Sequence, residues 1–300
     1  MFIVSIFGGL GSQMEQYAFL LALRKVYPDT IIKVDINNVV KPDHNGYELE
    51  RVFNIHEEEA SINDVSMLSN ITPLGAKYRF ILKKMNALRN YLFGPKSSWI
   101  TPDDPSAYYE NVFNLNPLKS YMFFGNWGNE KYRLNVNKEI INAFKFPAFT
   151  TIQNKEISEI IVNTESVSLH VRHGDYKSFG FPILSLSYYK KAIEIICNKV
   201  KDPIFFLFSD DIEYVKDNFS FLPHFYIIDW NKGNESFRDM QLMSMCKHNI
   251  IANSTFSFWG ARLNTNKNAI KISPKYHVDI CKHSFGEGVE NFIVIDNNSL

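Results

Sequence analysis

The sequence lacks the features that mark secreted, membrane-spanning or strongly charged proteins. Its 300 residues contain three cysteines, Cys197, Cys246 and Cys281, which are far apart in the chain. Because their number is odd and no Cys-x-x-Cys pair occurs, we expect neither a disulfide framework nor a zinc knuckle, and we expect a reducing compartment. No run of about 18 apolar residues is present, so the sequence predicts no transmembrane helix.

The sequence also has no excess of positive or negative charge. The 32 Lys and Arg are balanced by 32 Asp and Glu, so the formal net charge is zero. This balance excludes a global attraction to nucleic acid or anionic lipid, and no nucleic-acid partner is predicted. No basic segment or cleavage site precedes the first apolar run, Phe2–Phe7, which predicts a strand and not a signal peptide. We expect a cytoplasmic protein, with the inner face of a membrane as a further place of action.

Apolar runs of strand length alternate with stretches of helical periodicity along most of the chain, which predicts parallel sheets with right-handed crossovers. The predicted strands are Phe2–Phe7, Ile31–Ile36, Ser120–Phe124, Val167–Val171, Ile204–Phe208, Phe225–Ile228, Asn249–Ala252 and Ala269–Ser273. The predicted helices are Met14–Val26, Tyr47–Ile55, Ala76–Leu92, Glu139–Phe146, Ser187–Val200, Ile212–Asn218, Phe237–Met245 and one that opens at Phe258. A chain of this length is expected to form two domains. We place the boundary in the polar segment 150–164, which gives domains 1–155 and 156–300.

The stretch from Ser166 to Tyr176 organises the second half. A buried strand runs directly into Arg172, His173, Gly174 and Asp175. Ligands of open parallel sheets bind beyond the carboxyl ends of the strands. The five donors of an arginine at that place suit a diphosphate, and Asp175 is a candidate proton acceptor. A salt-bridged strand end with no ligand is the alternative interpretation.

Other predicted strands of the second half also end in polar groups, which should converge at one edge of the sheet. Asp210 and Asp211 follow one strand, Asp229 another, and Asn253, Ser254 and Thr255 a third. A helix begins after the third, and its backbone N–H groups and dipole favour phosphate oxygens. One of the two adjacent aspartates is expected to cap a helix, and the other to bind a guanine edge or a ribose. The aromatic residues nearby are candidates to flank a base, although at least one should be core: Phe256, Phe258 and Trp259.

The first predicted strand ends in the sequence Gly8-Gly9-Leu10-Gly11-Ser12-Gln13. Strand, glycine loop and helix form the opening of a Rossmann-like half. Met14 occupies the place of the third glycine of the dinucleotide fingerprint, which disfavours a dinucleotide oxidoreductase. A tight turn without a phosphate remains the alternative interpretation of this loop.

Metal binding is disfavoured. Asp210 and Asp211 resemble half of a site for a divalent ion on a diphosphate, but adjacent residues at a strand end point in opposite directions. His170 and His173 with Asp175 resemble a zinc site, yet no fourth ligand is apparent.

The predicted helix 76–92 carries basic residues on one face. Two interpretations of this face stay open: a solvated surface, and peripheral contact with a membrane.

Several motifs together resemble glycosyltransferase family 11, the α-1,2-fucosyltransferases of bacteria and animals. They are Gly8–Met14, His170–Tyr176 and Asp239–Trp259. Shorter matches support the resemblance: Tyr47-Glu48-Leu49, Phe53-Asn54-Ile55, Glu130-Lys131-Tyr132 and Leu186-Ser187-x-Tyr189. The likeness spans nearly the whole chain.

The resemblance implies a GT-B fold, in which two Rossmann-like parallel-sheet domains face each other across a cleft. It implies that the first domain binds the acceptor and the second binds GDP-fucose. The implied reaction is inverting transfer of L-fucose from GDP-β-L-fucose to the 2-hydroxyl of a galactose in a glycan. The implied partners are GDP-fucose and a galactose-containing glycan, and no metal or other cofactor is needed. The acceptor's identity and the oligomeric state stay open.

The resemblance also implies roles for residues. Arg172 would hold the diphosphate, and the remaining donor contacts would come from His170, Asp210 or Asp211, Asn253, Ser254, Thr255 and Phe256. The fucose and the acceptor would face the glycine loop at Gly9, Gly11, Ser12 and Gln13. Asp175 is the first choice as catalytic base, with His173 and Glu15 behind it. A dissociative path without a strong base is the alternative.

Three positions depart from the family pattern. His173 stands where a second arginine is usual, Ser12 where asparagine is usual, and Glu15 where an aromatic residue is usual. Glu15 is either a surface residue of its helix or an unusual polar group at the acceptor. Ser12 and His173 keep one alternative open, a transferase of this fold with another nucleotide sugar or linkage. A catalytically silent nucleotide-sugar binder is a further alternative, against which the retention of Arg172, Asp175 and the loop from Asn253 to Ser257 argues.

Overall fold

The structure is a computed structural model that describes residues 1–37, 44–72, 77–104, 107–276 and 292–297. The chain divides into two compact units, Met1–Lys145 and Phe146–Leu300. This division lies earlier in the chain than the predicted boundary after residue 155. The polar segment in which we placed the boundary forms a helix of the second unit, Ile152–Asn163. Cys281 lies outside the described residues.

The first unit contains a four-stranded parallel sheet in the order β2-β1-β4-β3. Its strands are β1 (Phe2–Ser5), β2 (Ile32–Asp35), β3 (Trp99–Ile100) and β4 (Tyr121–Phe123). Its helices are α1 (Leu10–Val26), α2 (Leu49–Phe53), α3 (Ile62–Leu68), α4 (Arg79–Phe93), α5 (Glu130–Arg133) and α6 (Asn137–Ala143).

The core of the first unit is built from aromatic rings around β1. All four residues of β1 are buried, because the strand lies between two neighbours and is covered by α1. The Phe19 ring of α1 stacks on Trp127 at a centroid distance of 4.2 Å. Trp127 is 1% exposed. The segment after β4 therefore supplies a core residue, Trp127.

The second unit contains a six-stranded parallel sheet in the order β10-β9-β8-β5-β6-β7. Its strands are β5 (Ser166–Val171), β6 (Ile204–Ser209), β7 (Phe225–Ile228), β8 (His248–Ile250), β9 (Lys271–Pro274) and β10 (Phe292–Ile295). Its helices are α7 (Ile152–Asn163), α8 (Gly174–Phe179), α9 (Leu186–Lys199), α10 (Ile212–Asn218), α11 (Phe237–Met245) and α12 (Thr255–Arg262). Two parallel α/β units confirm the predicted fold class.

The order of the second sheet places β5 in the middle, with β6 and β8 on either side. All six residues of β5 are buried, as expected for a central strand of a parallel sheet. The carboxyl ends of β8, β5 and β6 are therefore neighbours. The polar tips after these three strands are brought to one edge, as the sequence predicted.

No helix among the described residues is long and apolar enough to cross a membrane.

Candidate active site

Arg172 follows β5 directly, and its guanidinium lies between two carboxylates. Its Nη2 donates to Asp175 Oδ2, and its Nε lies 3.5 Å from Asp210 Oδ2. The Arg172 side chain is 26% exposed, so it is held in place but remains within reach of a ligand. The structure therefore shows the salt-bridged strand end, and the partly exposed guanidinium stays a candidate for binding an anion.

Asp210 closes the amino terminus of α8 from the neighbouring strand. Its Oδ1 accepts hydrogen bonds from the backbone N–H of His173 (2.9 Å) and Gly174 (3.1 Å), and its Oδ2 accepts one from Asp175 (3.1 Å). A Cβ on Gly174 would lie 3.2 Å from the Asp210 carbonyl oxygen, so the close approach favours glycine. These bonds explain why a helix forms directly after β5, where the sequence analysis predicted no helix.

The pKa values of the Asp175 and Asp210 carboxyls are shifted in opposite directions. Burial and the neighbouring Asp210 carboxylate raise the pKa of Asp175 above its ordinary value, although the Arg172 charge opposes this shift. Burial acts to raise the pKa of Asp210 too, but the Arg172 charge and the backbone donors outweigh it and hold that pKa well below its usual range. Of the two carboxyls, Asp210 is therefore the stronger acid, and Asp175 is the one that becomes protonated first as the pH falls.

His173 is oriented by Asp211. Its Nδ1 lies 2.7 Å from Asp211 Oδ2, and its ring stacks on Tyr214 at a centroid distance of 4.0 Å. Asp211 also accepts a 3.0 Å hydrogen bond from the Tyr214 backbone N–H and so caps α10. The prediction that one of the two aspartates caps a helix is confirmed. Sequence reasoning did not single out Tyr214, because an aromatic residue in a helix reads as core.

The loop after β8 is tied to α8. Tyr176 Oη donates a 2.7 Å hydrogen bond to the Asn253 carbonyl oxygen, and Asn253 Nδ2 donates to the Pro182 carbonyl oxygen at 2.8 Å. Ser254 Oγ accepts a 3.3 Å hydrogen bond from the Phe256 backbone N–H, which makes Ser254 the N-cap of α12. Helix α12 begins at Thr255 and not at the predicted Phe258, so its first turn lies at the site.

His170 lies at the end of β5 and is 4% exposed. Burial lowers its pKa to about 3, and the nearby Arg172 charge acts in the same direction, so the imidazole is neutral near pH 7. Its ring centroid lies 6.0 Å from that of Phe256. Within the described residues, its buried Nδ1 has no hydrogen-bond partner. Such a nitrogen is a candidate for a ligand contact, because buried polar atoms normally find partners.

Of the three aromatic candidates near α12, Phe256 alone is partly exposed. Phe258 and Trp259 are both 0% exposed and belong to the core. The expectation that at least one of them is core is confirmed. Asp229 lies at the tip of β7, on the far side of β6 from Arg172, and its neighbour Trp230 donates to Asn154 Oδ1 at 2.8 Å.

The structure corrects the interpretation of the glycine loop. Gly8 adopts a φ of +76°, a conformation that favours glycine, and α1 starts at Leu10, so Gly11, Ser12 and Gln13 are helical. Gln13 is 0% exposed; its Nε2 donates to the carbonyl oxygens of Gly8 and Gly46, both at 2.9 Å. Its amide therefore fastens the loop and is not available to a sugar.

Gly9 and Ser12 are the predicted loop residues that remain partly exposed. A Cβ built on Gly9 would lie 3.3 Å from Nδ1 of His44. An exposed imidazole thus lies beside the glycine loop, and sequence reasoning missed it because a single histidine in a polar loop carries no pattern.

Neither interpretation of Glu15 was right. Glu15 is 1% exposed and its Oε2 accepts from Nη1 of Arg133, which is itself 1% exposed. Arg133 also donates through Nε to Glu130 Oε2 at 2.7 Å and through Nη2 to the Gly128 carbonyl oxygen at 2.8 Å. The three side chains form a buried ion cluster that joins α1 to α5. Glu15 is therefore neither a surface residue nor a catalytic base.

Among the described residues, no three His, Cys, Asp or Glu side chains are grouped to hold a metal ion. Asp210 and Asp211 use their carboxylates on different partners, the start of α8 and the start of α10. They do not share a ligand position, in agreement with the expectation that adjacent strand-end side chains point apart.

Comparison with known proteins identifies the family. Residues 103–287 match the model described as Glycosyl transferase family 11. The chain is 33% identical over 277 residues to an α-1,2-colitosyltransferase of Escherichia coli, and the alignment covers 89% of each protein. It is 29% identical over 293 residues to the O-antigen biosynthesis glycosyltransferase WbnK of Escherichia coli, covering 89% of this chain and 92% of WbnK.

Among solved structures, the chain resembles the fucosyltransferase NodZ from Bradyrhizobium. The TM-score is 0.53 at 13% identity, over 87% of this chain and 90% of NodZ. At that identity the likeness shows the fold alone, which is the predicted GT-B type. The family match and the full-length relative confirm the predicted family and the predicted class of enzyme. The chain is a glycosyltransferase that belongs to glycosyl transferase family 11.

Proposed function

We propose that the protein transfers L-fucose from GDP-β-L-fucose to the 2-hydroxyl of a galactose in a glycan, with inversion and without a metal ion. One observation carries the proposal: Arg172, neutral His170 and the amino terminus of α12 converge at one edge of the second sheet. A cation, a buried imidazole nitrogen and a helix amino terminus suit a nucleoside diphosphate. The α-1,2 linkage in the name of the E. coli relative supports the proposed bond.

The donor must compete with carboxylates for Arg172. Asp175 and Asp210 both contact the guanidinium, whereas paired hydrogen bonds from an arginine fork also suit phosphate oxygens. We infer that the diphosphate replaces Asp175, because Asp210 is fixed by three backbone N–H groups. The Arg172 charge then offsets the negative charge that develops on the leaving GDP.

The other donor contacts follow the same edge. Ser254 and Thr255 would meet the diphosphate at the first turn of α12, and His170 and Phe256 would lie beside it. Asn253 would hold this loop against α8, since its carbonyl oxygen accepts from Tyr176 and its Nδ2 donates to the Pro182 carbonyl oxygen. In the first unit, Gly9 and Ser12 are the proposed contacts for the fucose and the acceptor, whereas Gly11 and Gln13 support the loop.

Asp175 is the proposed proton acceptor once the diphosphate has released it from Arg172. Its side chain is 32% exposed, so the freed carboxylate is accessible. His173 is the second choice, because Asp211 orients its ring as a carboxylate orients the imidazole of a catalytic dyad.

Asp175→Asn is expected to lower kcat by about a hundredfold, since general-base catalysis contributes roughly 10²–10⁴-fold. GDP affinity should not fall, because the substitution removes a competitor for Arg172. The wild-type kcat/KM, which reports groups of the free enzyme, should decrease as the pH falls through the raised pKa of Asp175, where the base becomes protonated, and the variant should lack this acid limb. A pH profile of kcat and of kcat/KM together with GDP calorimetry measures these effects.

His173→Gln is the companion variant. Normal turnover in Asp175→Asn would show that Asp175 is not the base. A large loss of kcat in His173→Gln alone would assign the base to His173, oriented by Asp211. Loss of GDP binding in Asp175→Asn would show instead that Asp175 positions Arg172.

GDP-colitose is the second candidate donor, favoured by the name of the 33% identical relative. Colitose is L-fucose without the 3-hydroxyl group. A site that hydrogen-bonds this hydroxyl rejects the deoxy sugar by about 10⁴–10⁵-fold, whereas an apolar site rejects the added hydroxyl by only about 10²-fold. The ratio of kcat/KM for the two donors therefore distinguishes the two assignments.

The proposed function is tested by GDP release from GDP-fucose and GDP-colitose with a panel of β-galactosides, with and without EDTA. We expect acceptor-dependent release that prefers GDP-fucose, survives EDTA and yields an α-1,2 product by NMR. Preference for GDP-colitose would make GDP-colitose the assigned donor in place of GDP-fucose. Release abolished by EDTA would overturn the metal-independent mechanism. Donor hydrolysis without transfer to any galactoside would contradict the acceptor class.

A further inference from the structure

Helix α4 is oriented with its apolar side away from the unit that carries it. None of its 15 residues is buried. The partly covered side chains are Leu82, Asn86, Arg89 and Asn90, of which three are polar. Asn86 Nδ2 lies 3.5 Å from Thr72 Oγ1, in the segment that precedes the helix. The polar side of this helix therefore lies toward the protein.

The opposite side of α4 is a continuous apolar stripe. Ile81, Met85, Leu88 and Leu92 follow the spacing of one helix face, and each is 55–60% exposed. Tyr91 (86%) and Phe80 (70%) widen the stripe. A soluble surface rarely leaves so many large apolar side chains in contact with water, so a stripe of this kind marks an interaction surface.

The charged residues of the segment that contains the stripe have one sign. Between Val65 and Pro102 the sequence contains no Asp or Glu. The same segment contains six basic residues: Lys77, Arg79, Lys83, Lys84, Arg89 and Lys96. Because the whole chain has zero net charge, this segment is a local concentration of positive charge.

We propose that α4 is an interfacial helix that binds the surface of an anionic lipid bilayer. An apolar stripe with aromatic residues and flanking cations inserts at the boundary between headgroups and acyl chains. A second copy of the chain fits less well, since two α4 helices packed face to face would bring like charges together without any acidic partner. This inference does not depend on the donor or the acceptor.

Co-sedimentation of the full chain with vesicles tests the proposal. We expect binding to vesicles that contain phosphatidylglycerol, weak binding to phosphatidylcholine alone, and release by salt. Lys83→Gln with Lys84→Gln should reduce partitioning by roughly thirtyfold, since each basic residue near an anionic surface contributes about fivefold. Ile81→Gln with Leu88→Gln should reduce binding on both kinds of vesicle, because it removes the apolar stripe.

The matched control is Lys191→Gln with Lys199→Gln, two exposed lysines of α9, which should leave partitioning unchanged. Because α4 buries no side chain and both lysines of α9 are exposed, all of these variants should fold, and far-ultraviolet circular dichroism checks this. Equal binding to both kinds of vesicle, or an equal loss in the control, would overturn the proposal. A wild-type dimer that Ile81→Gln with Leu88→Gln converts to a monomer, without vesicle binding, would assign the stripe to a second copy instead.

Discussion

Arg172→Ala is expected to reduce kcat by about a thousandfold or more, because one positioned cation at a transferring phosphate group is worth roughly 10³–10⁵-fold in related chemistry. GDP binding should weaken as well, since hydrogen bonds to charged groups contribute about 1.5–3 kcal/mol. The loss should therefore appear both in GDP affinity by calorimetry and in single-turnover transfer. Arg172 is the group that connects the proposed leaving diphosphate to the edge of the sheet.

Arg172→Lys separates charge from geometry. Lysine keeps the positive charge but loses the planar fork, so partial recovery of kcat with weaker GDP binding is expected. Lys177→Ala, which removes an exposed cation of the nearby α8, should leave both quantities unchanged. Transfer by Arg172→Ala within threefold of the wild type would refute the assigned role.

Arg133→Met is expected to destabilise the first unit by about 3–5 kcal/mol, because it leaves the Glu15 and Glu130 carboxylates buried without their partner. A domain typically has about 5–15 kcal/mol of stability in total, so this loss is a large fraction of it. Urea unfolding followed by tryptophan fluorescence measures the change, with Trp127 packed in the same core.

The matched control breaks an exposed ion pair in the same unit. Glu139→Gln removes the 3.6 Å contact with Lys25, in which both side chains are about half exposed, and should cost less than about 1 kcal/mol. Replacement of the whole cluster by Glu15→Leu, Glu130→Leu and Arg133→Met should recover most of the loss, because a buried ion cluster is often replaced by apolar residues without cost. A small effect of Arg133→Met alone would show that water reaches the cluster.

Much of the fold could be predicted because the hydrophobic periodicity of each segment and the residues at its ends indicate the same element. The predicted bounds of β7, α10 and α11 match the structure, and the other predicted elements lie close to the observed ones. Helix α8 was missed because a Gly-Asp pair usually signals a turn, and the carboxylate that stabilises this helix comes from Asp210 on another strand. Such a long-range cap has no local sequence pattern.

The sequence predicted which strand ends form the candidate site, but it did not predict which side chains contact each other there. Parallel topology alone brings Arg172, Asp210 and Asn253 to one edge. Which carboxylate caps a helix, and which has a raised pKa, depends on side-chain distances that the sequence spacing does not contain. Motif residues such as Gln13 matched the family pattern and were assigned to ligands, yet Gln13 is buried and fastens a loop.

Glu15 and α4 show a second limit of prediction from sequence, which is the surroundings of a helical side chain. A glutamate in a helix reads as a surface residue unless its partner is known, and Arg133 lies 118 positions away. The periodicity of α4 predicts a helix with two faces, but it does not show which face is turned to the protein. Here the apolar face is the outer one, against the usual rule.

The position of β1 in its sheet has a consequence for synthesis on the ribosome. Residue 2 pairs with residue 32 on one side and with residue 121 on the other. At roughly 5–20 residues per second, the first neighbour emerges within seconds, but the second follows only after most of the unit has been made. Until then the nascent chain presents one unpaired edge of an apolar strand, the kind of edge that recruits other chains. Slower synthesis would prolong this exposure, and a chaperone that covers the amino terminus would shorten it.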